Sequence, residues 1–111
     1  MEKILTFDET LADETTLTGT VTYTCLKNSE RLKYLDGSSL DLKSGKVKKE
    51  IEFSADLMEL AAKRIKKVDL EYDGSKINAV TQLEYYNFGM QVLTKVATEL
   101  LQGPQLPKKS K

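Results

Sequence analysis

The residue types that most often perform catalysis near neutral pH are nearly absent from this sequence. Its 111 residues include no histidine and a single cysteine, Cys25. Histidine is the commonest general base and metal ligand, so zinc sites of the Cys/His type and a Cys–His nucleophile pair are excluded within this chain. Cys25 falls on the apolar face of a predicted strand, where a thiol behaves as a small hydrophobic group. We therefore expect no enzymatic activity, no metal site and no cofactor.

Two other motifs with potential chemistry fail on their spacing. Asp69, Glu71 and Asp73 alternate, so their carboxylates would point to one side of a strand and could hold a hard cation weakly. Acidic residues in this pattern are typical of a solvated face, and the ligand spacing of an EF-hand loop is absent. Ser44-Gly45-Lys46 matches the end of a phosphate-binding loop, but Leu40 occupies the position of the required first glycine.

Basic residues are concentrated in the second half of the chain. Residues 1–42 carry four basic and eight acidic side chains, whereas residues 43–111 carry 13 basic and nine acidic ones. This split could let the molecule associate head to tail or meet partners of either sign at its different ends, or it reflects two solvated faces of different charge. The basic cluster comprises Lys43, Lys46, Lys48, Lys49, Lys63, Arg64, Lys66 and Lys67. Acidic residues lie among them, no aromatic residue is interleaved, and the pI is about 6.3, which argues against nucleic-acid binding.

The cysteine content and the N-terminal residues predict a location. A lone cysteine cannot form an intramolecular disulfide, which is typical of a reducing compartment such as the cytoplasm. Residues 1–7 show no basic segment followed by an apolar run, so no secretory signal is predicted. Uninterrupted apolar stretches reach only two or three residues, far below the roughly 20 of a transmembrane helix. We expect a soluble cytoplasmic protein without membrane association.

The clearest secondary-structure signal is a strand at residues 17–26. Its apolar face comprises Leu17, Gly19, Val21, Tyr23 and Cys25. Four threonines alternate with these residues, and this period of two predicts a strand of an antiparallel sheet with one solvated side. A shorter strand is predicted at Ile4–Phe7. Asn28-Ser29 can start a turn or cap a short helix at Glu30–Leu35.

Helical periodicity begins after Ser54. The pattern predicts a helix from Ala55 to Lys67 with Ser54 as its N-cap, acidic residues in the first turn and basic residues in the last. Its apolar stripe comprises Leu57, Leu60, Ala61, Ile65 and Val68. Val68–Tyr72 then alternates, and Asp73-Gly74 is a tight-turn signal before a return strand within Ser75–Val80.

A second, longer helix is predicted from Thr81 to Gln102. Thr81 and Glu84 match a capping box, and Gly103-Pro104 supplies the stop. Its apolar seam comprises Leu83, Tyr86, Met90, Leu93, Ala97 and Leu100. Further apolar residues widen this seam, so the helix is expected to pack on more than one side. Close approach of another backbone is one explanation for Gly89, since glycine costs a helix about 1 kcal/mol relative to alanine.

These elements predict an α+β fold in one domain spanning residues 1–103. N-terminal antiparallel strands are followed by two main helices, with a short β-hairpin between the helices. Residues 40–53 fit either a hairpin around Lys43–Lys46 or a mobile lysine-rich loop. Residues 104–111 contain two prolines and three lysines and are predicted to be a disordered basic tail.

The order of the segments resembles that of a known class of proteins. The segments that carry the resemblance are Ser29–Leu35, Val68–Leu70, Asp73-Gly74, Leu83–Tyr85, Val96-Ala97, Leu100-Leu101 and Gly103. Their succession is similar to that of the small tail assembly proteins of tailed phages and prophages, especially the tail assembly chaperones. It covers most of residues 17–103. The strand around Thr18–Thr24 is longer and more regular than these mostly helical proteins need.

The resemblance implies a non-enzymatic assembly factor. Such chaperones bind the tape measure protein and the tail tube protein before assembly, keep apolar surfaces from aggregating and leave the finished particle. The long helix would then bind its partner through a second apolar face, as a helix lies in a groove. Candidate interaction residues are Tyr85, Tyr86, Phe88, Met90 and Val92, although the same stripe is also typical of ordinary core.

Two alternatives stay open at this stage. One is a structural virion component, such as a small tail-completion or tube-associated protein, in which a strand edge pairs with a neighbour. The other is a small nucleic-acid-associated regulatory protein that uses the lysine-rich segment. Self-association of the chain is compatible with each of these interpretations.

Overall fold

A four-stranded antiparallel sheet forms one side of the hydrophobic core. It is seen in a computed structural model, which describes residues 1–34 and 54–104. The strands follow one another in the order β1 (Glu2–Thr10), β2 (Thr16–Thr24), β3 (Ile65–Tyr72) and β4 (Ser75–Ile77). The helices are α1 (Asn28–Arg31), α2 (Ala55–Arg64), α3 (Val80–Tyr85) and α4 (Gly89–Gln102). The predicted α+β fold is confirmed, with the β3–β4 hairpin lying between the main helices.

The threonine-rich strand has the predicted two faces. Leu17, Val21 and Tyr23 of β2 are buried, while the alternating threonines on the other face are partly exposed. β1 is longer than predicted and pairs with β2 over its whole length, from Glu2 opposite Thr24 onward. Because β3 pairs with the other side of β2, the threonine-rich strand is interior. Among the described strands, β1 therefore forms the long edge of the sheet.

Gly19 is required by the close approach of two strands. It has φ +120°, and a Cβ at this position would lie 2.2 Å from the carbonyl oxygen of Asp69 in β3. Phe7 of β1 lies opposite Gly19 in the register and is buried. On the core side of the sheet, the large side chain of Phe7 thus lies opposite Gly19, which has no side chain.

α4 contributes the largest share of the helical side of the core. Its buried apolar residues are Val92, Leu93, Val96, Ala97, Leu100 and Leu101. α2 packs against α4 and contributes Leu57 and Ala61 to the same cluster. These side chains meet the inward face of the sheet, so the helices stabilise the sheet by removing apolar surface from water.

Side chains of the short helix α1 contact the C-terminal ends of both α2 and α4. Arg31 donates from Nε to the carbonyl oxygen of Leu101 (2.8 Å) and from Nη2 to that of Gln102 (2.9 Å). These carbonyls lie in the last turn of α4, where a helix leaves acceptors without internal partners. Glu30 forms an ion pair with Arg64 at the end of α2. α1 spans Asn28–Arg31, so it begins earlier than the predicted Glu30–Leu35.

The predicted end of the first main helix is wrong. Ser54 caps α2 as expected, with its Oγ accepting a hydrogen bond from the Leu57 N–H (3.1 Å). The helix stops at Arg64, and Ile65 pairs with Tyr23 as the first residue of β3. A β-bulge in this pairing accommodates two adjacent exposed lysines at positions 66 and 67. Because of the bulge, the next buried residue after Ile65 is Val68, three positions later. This spacing is also typical of one face of a helix, which explains the wrong prediction.

The second predicted helix is two helices. α3 ends at Tyr85, and Tyr86 adopts an extended backbone conformation (ψ 147°) before α4 begins at Gly89. The predicted close approach at Gly89 is confirmed, because a Cβ there would lie 1.8 Å from the carbonyl oxygen of Leu83. The capping box of Thr81 and Glu84 is wrong. Oε1 of Gln82 instead accepts from the backbone N–H groups of residues 78 and 79, at 3.0 and 3.1 Å.

Several sequence predictions fall outside the described residues. They concern the alternatives for residues 40–53, the tail after residue 104, and the lysines at positions 43–49. Within residues 1–34 and 54–104, no helix has the length and apolar character needed to cross a membrane.

Candidate protein-binding surface

The break between α3 and α4 decides which candidate residues reach the surface. In a continuous helix, Tyr85, Phe88 and Val92 would share one face. Phe88 and Val92 are instead buried, with 7% and 0% of their surface exposed. Tyr85 is 83% exposed, and Tyr86 and Met90 are each 60% exposed. These three exposed residues form what we call the junction surface.

A stack of three aromatic rings supports this surface. The ring centroids of Tyr72 and Phe88 are 4.4 Å apart with an interplanar angle of 16°. The ring of Tyr86 lies 6.1 Å from that of Phe88 at 7°. The exposed Tyr86 therefore rests on a buried ring, in a geometry typical of favourable aromatic pairs. Its side chain has less conformational freedom to lose when a partner covers it.

A groove of about 450 Å³ lies beside the stack. Its lining comprises Tyr72, Ser75, Lys76, Ile77, Gln82, Tyr86, Asn87 and Phe88. Ile77 and Phe88 are buried residues, whereas Ser75 and Lys76 are exposed. An apolar interior with a polar margin is the usual composition of a site that accepts one or two apolar side chains.

The β1–β2 loop holds the far end of the stack. The side chain and backbone N–H of Thr15 donate hydrogen bonds to Asp13, and these bonds lower the pKa of the Asp13 carboxyl below its ordinary value. The Tyr72 hydroxyl lies 3.4 Å from Oγ1 of Thr15 and 3.5 Å from Oδ2 of Asp13. The stack thus runs from this loop, past Tyr72 at the end of β3, to the α3–α4 junction.

Sequence reasoning named the residues of the junction but missed the strand residues beside it. Tyr72, Lys76 and Ile77 belong to the β3–β4 hairpin, and neither their types nor their spacing relates them to Tyr86. The Asp73-Gly74 turn was the only sequence feature that pointed to these residues, because it predicts that β4 pairs with the end of β3. That the groove lies at the α3–α4 junction follows from packing between distant segments.

Two described cations of the basic cluster form ion pairs. Lys63 pairs with Glu59 on the surface (3.2 Å), and Arg64 pairs with Glu30. Cys25 is partly buried against the core. No group of three or more histidine, cysteine or acidic side chains is arranged to hold a metal ion within these residues.

Comparisons with models of known protein families, with characterised proteins and with solved structures find no match to this chain.

Proposed function

We propose that this chain is a non-enzymatic protein-binding assembly factor of the tail assembly chaperone kind. The observation that carries the proposal is the junction surface, in which three large side chains are 60–83% exposed and one of them, Tyr86, lines the groove. Tyrosine and methionine are enriched in the centres of protein–protein interfaces, where a few such residues supply most of the binding energy. The partner would be an apolar segment of a tail tube or tape measure protein before it assembles.

The geometry supports a specific division of roles. Tyr86 stacks on Phe88 and offers a rigid aromatic wall, while the flexible side chain of Met90 can adapt to the partner and Tyr85 adds exposed aromatic surface. An apolar side chain of the partner would enter the groove beside Tyr72. Ser75 and Lys76 at its margin would stay in water and limit how the segment is oriented. The arrangement is typical of peptide capture by an apolar groove.

The proposal predicts that genes for a tail tube protein and a tape measure protein lie beside the gene for this chain, and the test uses their products. Each is co-expressed with the chain, and the affinity of any complex is measured by titration. Replacing two exposed residues together, Tyr85→Ser with Met90→Ser, should weaken binding by about thirtyfold, the effect of losing one interface hot spot. Neither side chain is buried, so circular dichroism should show an unchanged fold.

A matched control is available at the opposite end of α4. Leu32 is also a large exposed side chain, and it follows Arg31, which contacts the last residues of α4. The 14 residues of α4 separate the two ends by about 20 Å. Leu32→Ser should leave binding unchanged. The proposal is wrong if neither tail protein binds, or if the double variant binds as tightly as this control.

A structural virion component is the second candidate, because the nine-residue β1 lies at the edge of the sheet. An exposed edge is a template for pairing with another chain. Mass spectrometry of mature particles separates the two functions, since an assembly chaperone leaves the particle and a structural component stays in it.

A further inference from the structure

The register of β1 with β2 decides which backbone groups of β1 point outward from the sheet. The N–H of Cys25 donates to the carbonyl of Met1 (2.9 Å), and the N–H of Leu11 donates to the carbonyl of Thr15 (2.8 Å). Hydrogen-bonded pairs alternate along an antiparallel ladder, so the odd-numbered residues of β1 bond to β2. The backbone groups of the even-numbered residues therefore point away from the sheet. No other backbone group of the described residues bonds to them.

We propose that this edge pairs with the β1 edge of a second copy of the chain. The two strands would run antiparallel across a two-fold axis at Thr6, and the two sheets would join into one of eight strands. β1 has nine residues and contains no proline, whereas typical strands have about five or six. A long edge strand presents a row of backbone N–H and C=O groups with which another chain can pair. The proposal goes beyond the proposed function and does not use the junction surface.

Charge selects the register of this pairing. With the axis at Thr6, all nine residues of β1 find a partner, and Lys3 lies opposite Glu9 of the second copy. Directly opposed charges of unlike sign stabilise a strand pair, and like charges destabilise it. An axis at Leu5 would place Glu2 opposite Asp8 of the second copy. An axis at Phe7 would leave Glu2 and Lys3 without strand partners. Only the Thr6 register combines full length with favourable charge.

The side chain of Glu9 is already positioned for this contact. Its Oε1 lies 2.6 Å from Nζ of Lys95, and the same ammonium lies 5.0 Å from the ring centroid of Phe7. Oε2 is left to accept a hydrogen bond from Lys3 of the second copy. In the same register Leu5 lies opposite Phe7 of the second copy, which extends the apolar inner face of the sheet. About ten backbone hydrogen bonds would join the strands.

Disulfide cross-linking tests directly which residues of the two β1 strands lie opposite each other. In a background of Cys25→Ala, which removes the native thiol, Thr6→Cys would face its own copy across the axis. A hydrogen-bonded pair places the Cα atoms about 5.5 Å apart, which fits disulfide geometry. Mild oxidation should then give a covalent dimer. Ile4→Cys alone should not cross-link, but mixing it with Asp8→Cys should. A dimer that cross-links at Leu5→Cys or Ile4→Cys alone would overturn the proposal.

Sedimentation equilibrium tests the charge contribution. The unmodified chain should show a monomer–dimer equilibrium, and Lys3→Glu should weaken dimerisation by about tenfold or more, because both Lys3–Glu9 pairs become repulsive. Lys33→Glu makes the same charge change at an exposed position outside the sheet and should have no effect. A monomer at all concentrations, or equal dimerisation of the two variants, would refute the proposal. The Tyr85→Ser/Met90→Ser variant should dimerise normally, which separates this result from the proposed function.

Discussion

Replacing Gly89 with alanine tests the junction between α3 and α4. Helix propensity alone predicts that Gly89→Ala stabilises the protein by about 1 kcal/mol, because alanine is the better helix former. The structure predicts the opposite sign. An alanine Cβ would lie 1.8 Å from the carbonyl oxygen of Leu83 and 2.5 Å from its carbonyl carbon and its Cα. These are backbone atoms, so the overlap cannot be relieved by rotating a side chain.

The magnitude follows from what must move. Ordinary van der Waals contact begins near 3.4 Å, so α3 and the start of α4 would have to separate by more than 1 Å. Leu83 is buried in the core, and Phe88 stacks on Tyr72 next to the junction. Losing much of the packing of two such side chains costs about 3–5 kcal/mol. For a domain of this size that lowers the Tm by roughly 12 °C or more.

Urea and thermal unfolding monitored by circular dichroism measure this effect. Gly74→Ala is the matched control, because Gly74 has φ +87° but no atom lies within 4 Å of an added Cβ. It should cost only the backbone strain of about 1–2 kcal/mol. If Gly89→Ala is as stable as the unmodified protein, or more stable, α3 and α4 form one continuous helix and the reasoning is refuted.

Two further predictions concern single side chains. Burial of Tyr23, followed by the nearby Glu99 carboxylate, raises the pKa of its hydroxyl from 10.0 to about 12. The unfolded chain therefore releases this proton first, and about 1–3 kcal/mol of stability should be lost as the pH rises from 10 to 12. Tyr23→Phe should flatten this decline in urea unfolding; equal slopes would contradict the assignment. Arg31→Lys should lower stability by about 1–2 kcal/mol, because one ammonium cannot replace the planar fork that caps α4. An unchanged Tm and unchanged amide exchange in the last turn of α4 would argue against this cap.

The candidate surface was only partly predictable. Tyr85, Tyr86 and Met90 were named from the apolar stripe and are exposed at the junction. Phe88 and Val92 were named with them but lie in the core. The apolar periodicity places these five residues on adjoining faces of one helix. It does not show that residues 86–88 interrupt the helix between α3 and α4. The groove could not be found from sequence because it joins elements that are distant along the chain.

The sequence by itself determined the features that depend on neighbouring residues. The alternation in β2, the Asp73-Gly74 turn and the Ser54 cap are all present, since each depends on steric or hydrogen-bonding preferences within a few residues. Only the tertiary structure decided where α2 ends and where the second helix breaks. Ile65 can continue a helix or begin a strand with nearly the same local energy, and its pairing with Tyr23 selects the strand. The close approach of Gly89 to Leu83 likewise belongs to a break that the apolar periodicity does not show.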